Sequence, residues 1–406
     1  MTSALPYGSR EPFLISEIAQ LSRIGHEITI VPMRPQGEVV HDDVRPFLGA
    51  TLGLPLICGE IIRGALAEAF SCPLRTIRAL RHVFRSRSLR VFVKNIMVFP
   101  KGVWLSRQAR RLDADHLHAH WASTSSTMAL VAGEISGIPW SFTAHRWDID
   151  ENNLLETKTA KACFVRTISD RGARVLSAQL GAPAPNLHVL HMGIDIPEAI
   201  EPPRRHGDGR PLNVVAMADF VEVKGHRDLL EALKLLKDRG PLIRVDLAGD
   251  GPLRIEIERQ IREAGLSKCV ALLGTLPHAR LLHDLRTHRW DVAVLSSVAT
   301  EEFEEGIPVS LMEAMAAGLP VLSTRTGAIP ELLAEGAGLL VEGGDPVALA
   351  DALEELARNP ALLEPLAEKG RRRVSTDFNV LAIARVLSQY FARCATTHGL
   401  ARGIEG

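Results

Sequence analysis

Between Glu305 and Thr324 the apolar positions change period. Leu311, Met312 and Met315 recur at helical spacing after Pro308, which suits a helix's first turn, and Gly318 stops the run. Leu319 to Thr324 then reads as a buried strand, and Asp291 to Ser297 upstream reads as another. The spacing predicts strand, acidic loop, helix, strand, the repeating unit of a doubly wound parallel sheet. Ligands of such sheets bind beyond the carboxyl ends of the strands, where the loop Ser296 to Gly306 would lie.

The same alternation runs along the chain. Phe13, Ile15, Ile18, Leu21 and Ile24 mark an amphipathic helix ended by Gly25, followed by a strand from Glu27 to Pro32. A strand through His116, His118 and His120, a helix from Ser125 to Ser136, and strands Trp140 to His145, Cys163 to Ser169 and Leu187 to His191 follow. Ile196 to Arg210 is rich in Pro, Gly and charge and reads as a boundary. Beyond it strands at Leu212 to Ala218, Ile243 to Ala248 and Val270 to Leu273 alternate with helices at Asp228 to Asp238, Leu253 to Ala264 and Ala348 to Leu356. The expectation is an α/β protein of two domains, residues 1–195 and 212–376, joined by a linker at 196–211. An amphipathic helix from Val380 to Cys394 lies in the last segment, 377–406.

Chemistry gathers around the first of these stretches. Glu305 stands at the expected helix mouth and Glu313 eight residues on, a little over two turns away and so roughly on one side. The amides of Gly306, Ile307 and Val309 lie between them. Amides at a helix N-terminus suit a diphosphate, and carboxylates suit sugar hydroxyls. The plainer reading is that Glu305 offsets the helix dipole and Glu313 is solvated. Gly249-Asp250-Gly251-Pro252 follows a strand and opens a helix, as phosphate loops do, although a lone glycine turn is weak evidence. Lys224 could place a point charge on a diphosphate or be a surface lysine. His116, His118 and His120 fall on one strand face. That looks like a metal cluster, but no carboxylate stands at fitting spacing, so a structural role is expected for the first two, with His120 nearest the ligand edge. Asp113-Ala114-Asp115 and Asp148-Ile149-Asp150 spell a metal-binding triplet and are read as coincidence. No Gly-x-Gly-x-x-Gly follows a strand, which disfavours a nicotinamide dehydrogenase.

Composition narrows the class. The chain has 406 residues, 46% hydrophobic and 23% charged, with a formal net charge of -1, as expected of a soluble globular protein; the net charge says nothing about nucleic acid, and no nucleic-acid partner is expected. No transmembrane run or signal-peptide layout is seen, and the five cysteines are odd in number with no Cys-x-x-Cys spacing, so a cytoplasmic location is expected. The charge is unevenly spread. Residues 61–111 hold twelve Lys and Arg and one acid, Glu68, interleaved with apolar positions such as Phe84, Leu89, Val93 and Met97. That segment is either a solvated basic face or a surface for an anionic membrane, which would make the protein peripheral at the inner face of the plasma membrane.

Glu305 to Glu331 resembles the Glu-x(7)-Glu signature region of family 4 glycosyltransferases, retaining enzymes of GT-B fold, including the Pro-Val strand entry and the Gly-x-x-Pro-Glu that follows. Ala328 departs from it, where the family usually has a second glycine. Upstream, His116 to Ala122, Gly137 to His145 and His145 to Ile149 are similar to runs in the exopolysaccharide or colanic-acid-type members. The resemblance implies two facing Rossmann-like domains with a cleft between them and a last helix returning to the first domain. It implies transfer of a hexose, with retention, from a nucleotide-diphosphate sugar to a saccharide or lipid-linked acceptor in exopolysaccharide, capsule or O-antigen synthesis. Glu305 and His145 would contact the donor sugar, Glu313 the ribose, and Lys224 with the amides of Gly306, Ile307 and Val309 the diphosphate. Gly249, Gly251 and Gly274 would shape the nucleotide pocket, and Gly8 and His120 would lie on the acceptor side. No cofactor or metal is expected. Two departures stand out: only about five residues precede Pro6, so the first strand looks short, as a misassigned start codon would make it; and Ala218 and Asp219 stand where the family carries an arginine, with Arg227 or Arg325 as substitutes. The alternative is a catalytically impaired scaffold or regulatory partner.

Overall fold

The computed structural model describes residues 1–7, 11, 13–35, 37–39, 42–201, 210–240, 243–300 and 304–404. The chain divides into two units, Met1–Gly193 with Val380–Gly406, and Ile194–Asn379.

In the first unit, α1 (Phe13–Arg23), α2 (Gly59–Ser71), α3 (Pro73–Val83) and α4 (Leu89–Arg111) precede the strand β1 (Leu117–His120). Then come α5 (Thr124–Ser136), β2 (Trp140–Ala144), α6 (Trp147–Asp150), α7 (Leu155–Lys161), β3 (Val165–Thr167), α8 (Asp170–Leu180) and β4 (Leu187–Val189), with α16 (Val380–Ile404) closing the unit on α1. The sheet runs β1-β2-β3-β4, all parallel. Ile28 to Pro32 forms no ladder of its own. Ile30 instead bridges Thr51, and Thr2 bridges Pro32, both in parallel. Met1 continues this layer to β1, because the His120 amide donates to the Met1 carbonyl (2.9 Å) and the Met1 amine to the His118 carbonyl (2.6 Å). The winding order is thus Thr51, Ile30–Pro32, Met1–Ser3, β1, β2, β3, β4, and it reverses between Met1–Ser3 and β1. That reversal is a topological switch point.

The core of this unit lies between the sheet and α4 and α5, with Trp104, Met128, Leu130, Phe142 and Val165 fully or nearly fully buried. α5 is buried almost all round: its Ser126 and Ser136 hydroxyls bond along the helix, Thr127 also reaches Asn95, and its one charge, Glu134, faces His82 and Lys161. Among the described residues three cations of this unit, Lys101, Lys158 and Arg166, are wholly interior. Lys101 Nζ is held by the carbonyls of Pro32 (2.6 Å), Met33 (3.1 Å) and Leu54 (2.7 Å), and burial lowers its pKa to about 8. Lys158 Nζ is held by the carbonyls of Ala122 (2.7 Å) and Ser123 (2.6 Å). Arg166 pairs with Glu17 at 2.7 Å. Lys101 therefore does not belong to the basic surface that the sequence pattern drew at 61–111. Lys94 pairs with Glu151, and Arg110 with Glu68, so these charges are also spoken for.

The second unit holds β5 (Leu212–Met217), α9 (His226–Arg239), β6 (Ile243–Ala248), α10 (Arg254–Glu263), β7 (Val270–Gly274), α11 (His278–Arg286) and β8 (Val292–Leu295). It continues with α12 (Val309–Ala316), β9 (Val321–Thr324), α13 (Ile329–Leu332), β10 (Leu339–Val341), α14 (Pro346–Arg358) and α15 (Leu363–Asp377). The parallel sheet runs β10-β9-β8-β5-β6-β7, so the order reverses between β5 and β8. Central strands β5 and β8 are buried along almost their whole length, which is why both read as apolar runs. The expected linker is not a separate spacer where it is described: Pro197 and Glu201 bond to Arg371 and Arg286, and Ile194 to Phe378, all within this unit. Residues 202–209 lie outside the described residues.

Candidate functional site

At the carboxyl end of β5 and β8 the second unit brings together residues far apart in sequence. Lys224 Nζ donates to Glu305 Oε2 at 2.6 Å, and Ser297 Oγ donates to the same oxygen at 3.0 Å. The loop bearing Lys224 is pinned to the strand end. Ser296 Oγ donates to the Gly225 carbonyl (2.9 Å) and the Val298 amide to the Val223 carbonyl (2.9 Å). Glu305 is pinned from the other side: its carbonyl accepts the Ala328 amide at 3.0 Å. Gly327 makes that approach feasible, for its φ is +57° and a Cβ there would lie 1.8 Å from the Glu305 oxygen. Ala328, where the resemblance expects glycine, uses its amide for this bond and is buried without a left-handed backbone.

α12 begins at Val309 with Pro308 as its cap, and its ladder opens with the Met312 amide on the Pro308 carbonyl. Glu305 therefore lies in the loop, not on the helix, and helical periodicity does not align it with Glu313. The two carboxylates have different partners: Glu313 Oε1 is 2.7 Å from His278 Nε2. The amides of Gly306, Ile307 and Val309 precede the ladder, as an anion site at the start of α12 requires.

Gly249 and Gly251 lie where the chain passes closest to the turn after β5. A Cβ on Gly249 would lie 2.0 Å from the Ala218 carbonyl, and Phe220 exchanges bonds with Asp250 and Leu253. The Gly249 amide reaches the Gly274 carbonyl at 3.0 Å, joining the ends of β6 and β7. Asp219 is exposed, and its carbonyl contacts His226 Nε2 at 3.1 Å. Of the two expected substitutes, Arg325 is turned to another carboxylate, Glu342, at 3.2 Å.

The first unit has its own cluster at the carboxyl ends of β1 and β2. Asp148, fully buried, accepts the amides of Ala122 (2.6 Å), His145 (3.0 Å) and Arg146 (2.7 Å). Burial raises its pKa to about 6 against the pull of those amides. The triplet 148–150 thus begins with a loop organiser. His145 packs on Trp121 (centroids 4.2 Å apart), and its Nε2 is buried with no partner among the described residues. Burial, with the Arg166 charge, lowers its pKa to about 3, so it is a neutral imidazole. His120 is also buried, 5.9 Å from His145 and 3.6 Å from Glu17, with its pKa well below normal. His118 spends both nitrogens on Ser141 (2.7 Å) and Thr143 (2.9 Å), and His116 contacts Ser141 at 2.6 Å. Gly8 lies outside the described residues.

Sequence reasoning missed Glu17, Arg166, Ser297 and His278. The first two had a signal: Glu17 interrupts the apolar face of α1 and Arg166 sits mid-strand, as buried ion pairs do. Ser297 and His278 had none, being brought in by sheet order.

Comparison with known proteins accords with this geometry. The family model described as glycosyl transferases group 1 matches residues 201–373. The WcaL protein of Escherichia coli K12, described for colanic acid biosynthesis, is 31% identical over 297 residues, 68% of this chain and 70% of that protein. AmsK of Erwinia amylovora, an amylovoran biosynthesis glycosyltransferase, is 34% identical over 218 residues, 53% of each chain. Among solved structures, Anabaena HepE in complex with UDP-glucose superposes with a TM-score of 0.68 at 17% identity, covering 97% of this chain and 98% of that one. The fold is that of the GT-B glycosyltransferases, and the chain belongs to the group 1 glycosyl transferases.

Proposed function

We propose that this protein transfers a hexose, with retention, from a nucleoside-diphosphate sugar to a saccharide or lipid-linked acceptor during exopolysaccharide synthesis. The observation that carries the reading is the Lys224–Glu305 pair at the β5/β8 switch point, with the start of α12 following four residues after Glu305. A cation and helix-start amides suit a departing diphosphate, and a carboxylate suits the hydroxyls of the sugar that becomes electron-poor. Glu305 then contacts the donor hexose, Glu313 the ribose, and Lys224 with Gly306, Ile307 and Val309 the diphosphate. Gly249, Gly251 and Gly274 set the pocket floor. His145 is assigned to the donor sugar and His120 to the acceptor side. Neutralising the diphosphate this way calls for no metal. Support for the pathway comes from the WcaL and AmsK descriptions.

Membrane association belongs to the same reading. No helix among the described residues is long and apolar enough to cross a membrane. On α2, α3 and α4, however, Phe70 (84% exposed), Leu74 (78%) and Leu89 (77%) project among exposed Arg63, Arg81, Arg85 and Arg90. Apolar side chains amid arginines suit an anionic bilayer surface carrying a lipid-linked acceptor.

Titration calorimetry with UDP, GDP and ADP, without and with Mg²⁺, tests the donor site, and a transfer assay with the sugar nucleotide of whichever base binds tests the activity. Micromolar binding to one nucleotide supports the reading. Binding to none favours the second reading, a catalytically impaired scaffold, which the exposed Asp219 at the end of β5 encourages.

A further inference from the structure

Three of the five tryptophans, Trp104, Trp140 and Trp290, are buried, whereas Trp147 leaves 52% of its surface in water. It is nevertheless ordered by its neighbours. Its ring stacks on Trp121, with centroids 5.4 Å apart and planes inclined by 29°. Trp121 in turn packs on His145, and Phe13 places its edge on both Trp121 (6.1 Å) and His145 (5.5 Å). The support beneath is rigid. Trp121 Nε1 donates to the Glu11 carboxylate, itself fixed by the amides of Ser3, Ala4 and Leu5, and the Trp121 amide donates to the Thr143 carbonyl at 2.9 Å. Asp148 and Lys158 clamp the backbone on either side. Trp121 holds φ = +81°, a conformation costly for a bulky residue and retained where surroundings enforce it. All of this sits at the carboxyl ends of β1 and β2, beside the switch point of the first unit.

From this arrangement we infer that Trp147, backed by Trp121, is a stacking platform for one pyranose ring of the acceptor saccharide. A pyranose presents a face of C–H groups that lies flat on an indole, while its rim hydroxyls need hydrogen-bond partners. An acyl chain would instead be served by the broader apolar surface of α2 to α4. The inference rests on the reading of the first unit as the acceptor side.

The test uses the full chain with ¹⁵N-labelled indoles, titrated with the methyl pyranosides of glucose, galactose and mannose, and with glycerol as a hydroxyl-bearing compound without a ring. Trp147→Phe identifies the Trp147 resonance. The expected result is a shift of that resonance with at least one pyranoside and none with glycerol, affinity at least tenfold weaker in Trp147→Ala, and partial retention in Trp147→Phe. Nucleotide binding by Trp147→Ala stays as in the parent chain, which also verifies that the variant folds. If no pyranoside moves the resonance, or if Trp147→Ala binds as well as the parent, the platform is refuted. Should the parent bind a pyranoside at Trp147 but no nucleotide, the donor reading falls and the platform stands.

Discussion

Lys224 and Glu305, 81 positions apart, meet at 2.6 Å and neutralise each other at the carboxyl edge of the second sheet. A donor whose diphosphate engages Lys224 would release Glu305 toward the sugar, so each residue has a separable effect. Glu305→Gln should leave nucleotide affinity within a few-fold and lower turnover by about 10²–10³, the scale for one lost transition-state contact. Lys224→Ala should weaken nucleotide binding by about 1.5–3 kcal/mol, the worth of a hydrogen bond to a charged group. Calorimetry beside initial rates checks both; unchanged turnover in Glu305→Gln removes it from the chemistry.

Glu313 is occupied by His278, a histidine whose side chain is largely exposed. If ribose hydroxyls compete for this carboxylate, Glu313→Gln should raise the nucleotide Kd about tenfold, whereas His278→Ala should leave it unchanged or lower it. A rise in Kd on removing the histidine would mean that His278 itself touches the nucleotide.

Gly327 should tolerate no side chain, because its Cβ would run into the Glu305 carbonyl and its φ is positive. Gly327→Ala is expected to cost about 1–3 kcal/mol in urea unfolding of the second unit and to depress transfer by displacing Glu305. Gly306→Ala, with nothing within 4 Å of the added carbon, should unfold as the parent does.

Acid should destabilise the first unit well before general denaturation. His116 and His145 have pKa values of about 3, and His118 and His120 are also well below normal, all chiefly through burial. A depressed histidine stabilises the fold above its unfolded value of about 6.5, and that contribution is lost as pH falls toward the folded value. Between pH 7.5 and pH 5.5 His116 and His145 each forfeit about 1.4 kcal/mol, and His118 and His120 act in the same direction. Asp148, raised to about 6, has the opposite sign: its contribution is full below the unfolded carboxylate value and fades as pH rises through 6. One carboxyl against four imidazoles leaves a net fall, visible as a lower urea midpoint at pH 5.5 than at 7.5. Equal midpoints would mean that the histidines ionise in place.

Liposome flotation addresses the basic helices. Binding to vesicles containing about a third anionic lipid at low salt, weakened by high salt and by Phe70→Ser with Leu74→Ser, is expected, with none to neutral vesicles. Absence of binding at low salt removes the membrane contact.

The regularity of the strands and helices was legible because the second sheet is parallel and buried, so its strands announce themselves as apolar runs. Lys224, Glu305 and Glu313 were legible as motif residues, but not their partners, since Ser297 and His278 are set by which strands are neighbours. Periodicity also misled where structure was not periodic: the helix begins at Val309, so Glu305 and Glu313 share no helix face. Lys101 looked like surface charge because sequence records residue type, not the three carbonyls that bind its amine. The strand read at Glu27 to Pro32 survives only as bridges to segments too short to show a pattern.

The helix α16 belongs to the first unit although the entire second unit is encoded before it. Phe164 and the imidazoles of His116 and His118 pack against Tyr390 and Phe391, so part of that unit's apolar cover is made last. At the pace of synthesis, about 5–20 residues per second, the first unit waits on the order of ten seconds or more for its lid after its own strands have emerged. The ribosome therefore finishes the second unit first, and a chain stopped short of Val380 would carry a completed second unit beside an uncovered first.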